Sequence, residues 1–229
     1  MKINTDDKTI VKNYFNAIGF DRWQNIYGNG KVNKVQEDIR FGHQQTIDTV
    51  LKWLKSDGDL SGLVICDAGC GVGSLSIPLV KEGAIVSASD ISEKMVTEAR
   101  KRANDILENT DTINFYVQDL ETLKGNFHTT ICLDVLIHYP SDNAAKMINH
   151  LASLTNSRII LSFAPKTFYL TVLKKIGEFF PGPSKTTRAY QHNKDMIIQT
   201  LKQNGFKIQR TGMTSTKFYY SQIIEAIKE

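Results

Sequence analysis

Leu63-Val64-Ile65-Cys66-Asp67-Ala68-Gly69-Cys70-Gly71-Val72-Gly73 decides the fold. Its first four residues form an apolar, largely β-branched run, the pattern of a strand buried on both faces of a parallel sheet. Asp67 follows, then glycine at every second position, and Ser74 to Val80 carries apolar residues at helical spacing. Glycines at a strand-to-helix turn let the backbone pass close to a ligand where a Cβ would clash, and the helix start offers free N–H groups. A dinucleotide site, G-x-G-x-x-G, would require glycine where Ser74 stands. An acid two residues ahead of the first glycine is awkward beside a pyrophosphate. It suits a ligand that carries an ammonium group and no phosphate.

A second strand, Ala84 to Ser89, ends in Asp90, with Ile91 next and Ser92 as the N-cap of the following helix. A carboxylate at the tip of the second strand is placed to accept both hydroxyls of a ribose. On these residues the chain resembles the class I S-adenosylmethionine-dependent methyltransferases: DAGCGVG matches their first motif and the Asp90 strand end their second. The resemblance implies a Rossmann-like α/β fold, with a seven-stranded, mostly parallel sheet between helices. It also implies S-adenosyl-L-methionine as cofactor, S-adenosyl-L-homocysteine as product, and a cofactor site holding Asp67, Gly69, Gly71, Gly73, Asp90 and Ile91. Met95, in the first turn of the helix Glu93 to Leu107, would pack on the adenine. The third strand, Ile113 to Gln118, ends at Asp119-Leu120, matching the third motif, with Asp119 accepting from the adenine amino group and the Leu120 N–H reaching a ring nitrogen.

With 229 residues the chain suits one α/β domain with additions. No apolar run approaches the roughly 20 residues of a membrane span, and Met1-Lys2-Ile3-Asn4 does not open a signal peptide. The three cysteines, Cys66, Cys70 and Cys132, lack metal-ligand spacing and read as reduced thiols of a cytoplasmic protein, with no metal site. A formal charge of +4 is not a nucleic-acid signature.

Residues 1–57 are expected to form an N-terminal helical arm, one helix over Asp6 to Ile18 and a second over Val32 to Lys55, distorted at Gly42. Tyr27, Arg40, His43 and Gln44 are its notable polar side chains, and in the superfamily such an arm covers the active site. Residues 58–229 form the core. The fourth strand, Phe127 to Leu133, runs into Asp134-Val135-Leu136-Ile137-His138-Tyr139-Pro140. Ligands of open α/β sheets bind outside the carboxyl ends of strands. In the class I fold this end faces the cofactor's methyl group, which brings Asp134 and Val135 to the cofactor and His138 and Tyr139 to the chemistry. His128 and His150 read as structural. A helix Asp142 to Leu154 and a fifth strand Arg158 to Ala164 follow, then an insertion, 165–193, that is amphipathic, aromatic and basic. Its basic residues fit either a solvated surface or a nearby anionic substrate or anionic membrane face. A helix from Lys194 and two last strands complete the sheet.

Three stretches beyond the cofactor loop carry a closer resemblance, to the magnesium protoporphyrin IX O-methyltransferases of chlorophyll biosynthesis. They are Val32-Asn33-Lys34-Val35-Gln36 to Asp38-Ile39-Arg40-x-Gly42-His43, Asp134 to Pro140, and Pro183-Ser184-Lys185-Thr186-Thr187-Arg188-Ala189-Tyr190. The resemblance implies methyl transfer to one propionate of the macrocycle, giving the monomethyl ester. It gives His138 the role of orienting that carboxylate or removing a residual proton, and Tyr27 that of closing the site over cofactor and substrate. Arg40 and His43 would help hold the cofactor, and Lys185 and Arg188 the second propionate. Further implications are the magnesium chelatase large subunit as partner and peripheral association with a photosynthetic membrane. The competing readings are methylation of a quinol or phenol oxygen, which needs a real base because a phenol pKa is near 10, and a non-catalytic cofactor-binding module.

Overall fold

The computed structural model describes residues 9, 12, 13, 16, 20, 26, 32–166 and 190–229. The second arm helix, α1 (Lys34–Asp57), starts at a capping box, in which Asn33 accepts from the Gln36 N–H while the Gln36 side chain accepts from the Asn33 N–H. It runs unbroken through Gly42, so the expected distortion there is absent. Gly42 serves packing instead: a Cβ there would stand 2.4 Å from Cδ1 of Tyr219. Gly42, Thr46, Ile47, Val50 and Leu54 recur on one face, and that face is buried.

The sheet has seven strands in the order β3-β2-β1-β4-β5-β7-β6. They are β1 (Val64–Ala68), β2 (Ile85–Asp90), β3 (Ile113–Val117), β4 (Phe127–Cys132), β5 (Thr155–Phe163), β6 (Phe206–Ser215) and β7 (Tyr220–Lys228). The first five pair in parallel, and only β7 runs against its neighbours. Chain order reverses between β1 and β4, the switch point at which open α/β sheets leave a crevice.

Helices α2 (Ser76–Lys81), α3 (Glu93–Ile106), α4 (Ser141–Ser153) and α5 (Lys194–Gln203) connect the strands. The first is short because the glycine turn extends to Leu75 before it begins. Ser92 caps α3 by accepting from the Met95 N–H, as its position before Glu93 predicts. The cores on the two sheet faces share no residue. One joins Ile47, Val50, Ile65, Leu79, Val86 and Val96, and the other Cys66, Leu136, Ile148, Leu161, Phe206 and Ile224. At the far edge, buried Glu225 of β7 takes Arg210 and Arg158, and both arginines also reach Asp57 at the end of α1. Those ion pairs fasten the helix to the sheet. Among the described residues no helix is long and apolar enough to cross a membrane.

Candidate active site

At the carboxyl ends of β1, β2 and β4 lies a cavity of about 290 Å³. Asp67, Gly69, Cys70 and Gly71 line it from β1 and its turn, Asp90, Ile91 and Met95 from β2 and α3, and Asp119 and Leu120 from the end of β3. Asp134, Val135, Ile137, His138 and Tyr139 line it from β4, and His43, Ile39 and Ile47 from α1. Gly73 and Arg40 are not among its walls. Gly73 packs behind the turn, where an added Cβ would touch Ala99 and Phe115, and Arg40 donates from Nε to the carbonyl of buried Ile26 at 2.5 Å. Tyr27, Lys185 and Arg188 lie outside the described residues, as does most of the 165–193 insertion.

The glycines do local work. Gly69 has φ +88°, and a Cβ on it would stand 2.1 Å from Cγ2 of Val135, so the first glycine admits the wall that follows β4. Gly71 has φ +52° with nothing within 4 Å of a Cβ, so its backbone faces open cavity. The Gly69 and Cys70 N–H groups both donate to the Ser89 carbonyl, at 2.8 and 2.9 Å, tying the turn to β2. Asp90 then receives the Gly71 N–H on Oδ2 at 3.0 Å and the Ser92 N–H on Oδ1 at 2.8 Å. A carboxylate so fixed keeps lone pairs on both oxygens for a diol.

Asp67 is 3 % exposed, and burial lifts its carboxyl to about 6 even though Ser76 donates to it at 2.5 Å. A buried acid beside an open, turn-lined space is chemically completed by a cation. Asp119 spends one oxygen on the Glu121 N–H, capping the short 3-10 turn Leu120–Thr122.

Asp134 is the centre of a network that the sequence did not disclose. Its Oδ2 accepts from His43 Nδ1 at 2.8 Å and from the Tyr219 hydroxyl at 2.7 Å. Ser162 donates to Oδ1 at 2.9 Å, and Ser221 Oγ lies 3.3 Å from the same oxygen. Burial pushes the Asp134 carboxyl up, but the hydrogen bonds from His43, Tyr219 and Ser162 outweigh it and hold it below the usual carboxylate range. Among the described residues Asp134 is the only non-glycine with positive φ, +58°, a conformation that costs about 1–3 kcal/mol and persists only when its surroundings enforce it.

The turn after Asp134, the 3-10 segment Leu136–His138, is held from behind. Fully buried His192 lies with Nε2 2.8 Å from the Leu136 carbonyl, and the Tyr190 N–H donates to Ile137 at 2.8 Å. His138 is half-buried in the cavity wall, and burial pushes its imidazole down to about 4. It is therefore neutral at physiological pH and a poor base, though still a hydrogen-bonding group. Tyr139 is driven upward by burial and stays a phenol. Among the described residues no cluster of three His, Cys, Asp or Glu side chains could hold a metal ion. His150 and His128 bond to the Leu123 carbonyl and to Thr129, away from the site.

Comparison with known proteins agrees with this geometry. Residues 65–158 match a general methyltransferase domain, and residues 132–228 match the C-terminal region of magnesium-protoporphyrin IX methyltransferase. The chain is 64 % identical over 223 residues to magnesium-protoporphyrin O-methyltransferase of Synechocystis, covering 97 % of each chain. It is 54 % identical over 227 residues to the chloroplastic magnesium protoporphyrin IX methyltransferase of Arabidopsis thaliana, covering 99 % of this chain and 73 % of that one. The crystal structure of the Synechocystis enzyme with bound SAH superposes with a TM-score of 0.91 at 62 % identity, covering 97 % of this chain and 100 % of that one. With the strand-end carboxylates, the glycine turn and full-length similarity in agreement, the chain belongs to the magnesium protoporphyrin IX methyltransferase family.

Proposed function

We infer that the protein transfers the methyl group of S-adenosyl-L-methionine to a propionate carboxylate of magnesium protoporphyrin IX, forming the monomethyl ester and S-adenosyl-L-homocysteine. The observation that carries this reading is similarity along at least 97 % of this chain to two magnesium protoporphyrin methyltransferases, with a cavity at the strand ends whose walls suit both reactants. The quinol reading is not favoured, because the similarity that runs along nearly the whole chain is to magnesium protoporphyrin methyltransferases, and burial moves His138 away from the range of an effective base.

The residues present fit the cofactor. Asp67 would pair with its ammonium group, Asp90 would accept both ribose hydroxyls, and Met95 with Asp119 and Leu120 would enclose the adenine. The cofactor supplies an electrophilic methyl on a sulfonium. The rest belongs to the protein. A propionate, with a reference carboxyl pKa of about 4, is already an anion at neutral pH and needs no base. His138, neutral, donates an N–H to one carboxylate oxygen and orients the other. Water exclusion and alignment then supply most of the acceleration, and the His43–Asp134–Tyr219 network fixes the wall against which alignment occurs. For Tyr27, Lys185 and Arg188 the proposed roles are those the resemblance implies: closure over cofactor and substrate for the tyrosine, and pairing with the second propionate for the two cations. Association with the magnesium chelatase large subunit and with the face of a photosynthetic membrane completes the reading.

The test is turnover of purified protein with S-adenosyl-L-methionine and magnesium protoporphyrin IX. One S-adenosyl-L-homocysteine should form per monomethyl ester. Cofactor binding without porphyrin-dependent turnover would overturn the substrate assignment.

A further inference from the structure

The turn between β6 and β7 projects an aromatic side chain over the cavity. Phe218 is 55 % exposed and yet lines the cavity wall together with Ile39, Ile137 and Tyr220. A single exposed phenylalanine is ordinary on a protein surface. This one differs in how firmly its backbone is held. The Asp38 carboxylate of α1 accepts the Phe218 N–H at 2.7 Å and the Thr216 hydroxyl at 2.6 Å, and lies 3.4 Å from the Lys217 N–H. The Thr216 N–H closes the turn on the Tyr219 carbonyl at 2.9 Å, and Tyr219 is bound onward to Asp134 at 2.7 Å. The tip is therefore anchored on α1 and on the strand end that carries His138, while the phenyl ring it presents has much of its surface in water. One turn along α1 from Asp38, Phe41 is 59 % exposed.

We propose that Phe218 is a substrate-binding residue whose ring takes one face of the porphyrin macrocycle as the propionate reaches His138. The proposal rests on the porphyrin reading above and names a group that recognises it. Flat aromatic systems stack in offset contact with a phenyl ring, and the contact removes apolar area of both from water. At the cofactor end of the cavity the apolar side chains, Met95 and Leu120 among them, are taken up by the adenine in the reading above, whereas Ile39, Ile137, Phe218 and Tyr220 form an apolar wall outside it. Asp38 is a positioning residue: its carboxylate sets where the ring stands.

The experiment compares wild type, Phe218→Ala, Phe218→Leu and Phe218→Tyr in the full chain. It reads KM for magnesium protoporphyrin IX, kcat, the cofactor dissociation constant, and porphyrin affinity by fluorescence quenching with S-adenosyl-L-homocysteine present. Phe218→Ala should raise the porphyrin KM and dissociation constant about tenfold, the scale of a lost aromatic contact with its buried area. Cofactor affinity should not change. Phe218→Leu, apolar without a ring, should fall between, and Phe218→Tyr should restore wild-type affinity. Should the alanine variant not fold, the leucine and tyrosine pair reads the same contrast. Unchanged porphyrin affinity in Phe218→Ala or Phe218→Leu, with an active wild type, overturns this proposal and leaves the function standing. An inert wild type that binds cofactor but no porphyrin overturns both.

Discussion

The Tyr219 hydroxyl donates to Asp134 Oδ2 across 2.7 Å while the Tyr219 ring covers Gly42, so one side chain sets both the strand end and the helix above it. Burial and the neighbouring Asp134 charge keep that phenol protonated, and therefore a donor, throughout the working pH range. Tyr219→Phe keeps the ring and deletes the donor. The variant should lose about 1 kcal/mol of stability, the usual scale of one such hydrogen bond, and turn over more slowly because Asp134 holds its left-handed conformation less well. Thermal melts and saturating kcat check it. A variant with wild-type kcat would show that the hydroxyl has no part in alignment.

Gly42→Ala attacks the same contact from the helix side. The new Cβ would stand 2.4 Å from a ring carbon that is itself hydrogen-bonded into place through Tyr219. Overpacking of this kind costs about 1–3 kcal/mol. The double variant Gly42→Ala, Tyr219→Ser should be less destabilised than the sum of the singles, because removing the ring removes the clash. Denaturant midpoints decide, and strict additivity would contradict the packing argument.

Cofactor affinity should depend on pH through Asp67. Burial raises this carboxyl to about 6, and only its ionised form attracts an ammonium group. The affinity is therefore full above pH 6 and falls as pH drops through it, approaching about tenfold per pH unit once the group is protonated. Asp67→Asn should bind weakly and lose this dependence. Calorimetric titration at several pH values measures it, and constant wild-type affinity between about pH 5 and pH 8 would remove Asp67 from the role.

Cys66, Cys70 and Cys132 are all free and buried, and burial pushes each thiol well above its usual range. A thiol-specific reagent should label none of them in the native protein and all of them after unfolding. Fast labelling of Cys70, which borders the cavity, would mean that the turn opens more readily than its two hydrogen bonds to Ser89 imply.

The cavity wall at the ends of β1, β2 and β3 was legible in the sequence because its determinants are local. A β-branched run, an acid and three alternating glycines fall in one short stretch, Leu63 to Gly73, and Asp90 and Asp119 sit at strand ends that hydropathy marks. The Asp134 network was not legible, because Tyr219 and His43 lie 85 and 91 positions away from it. The resemblance gives His43 a place beside the cofactor and does not pair it with Asp134, and Tyr219, Ser162 and Thr46 carry no motif. Gly42 looked like a helix defect, and only the Tyr219 ring above it shows why a side chain is excluded. His192 ends a basic loop and carries no motif, although the carbonyl it meets belongs to the wall before His138. The protonation of His138 is also a tertiary property, since burial, not sequence position, pushes its imidazole down to about 4.

The most direct test of the central claim is where the methyl goes. With methyl-labelled S-adenosyl-L-methionine and magnesium protoporphyrin IX, a single label should appear on the porphyrin, and mild alkali should release it as methanol because it is a carboxyl ester. A label that survives alkali would place the methyl on another atom and contradict the account.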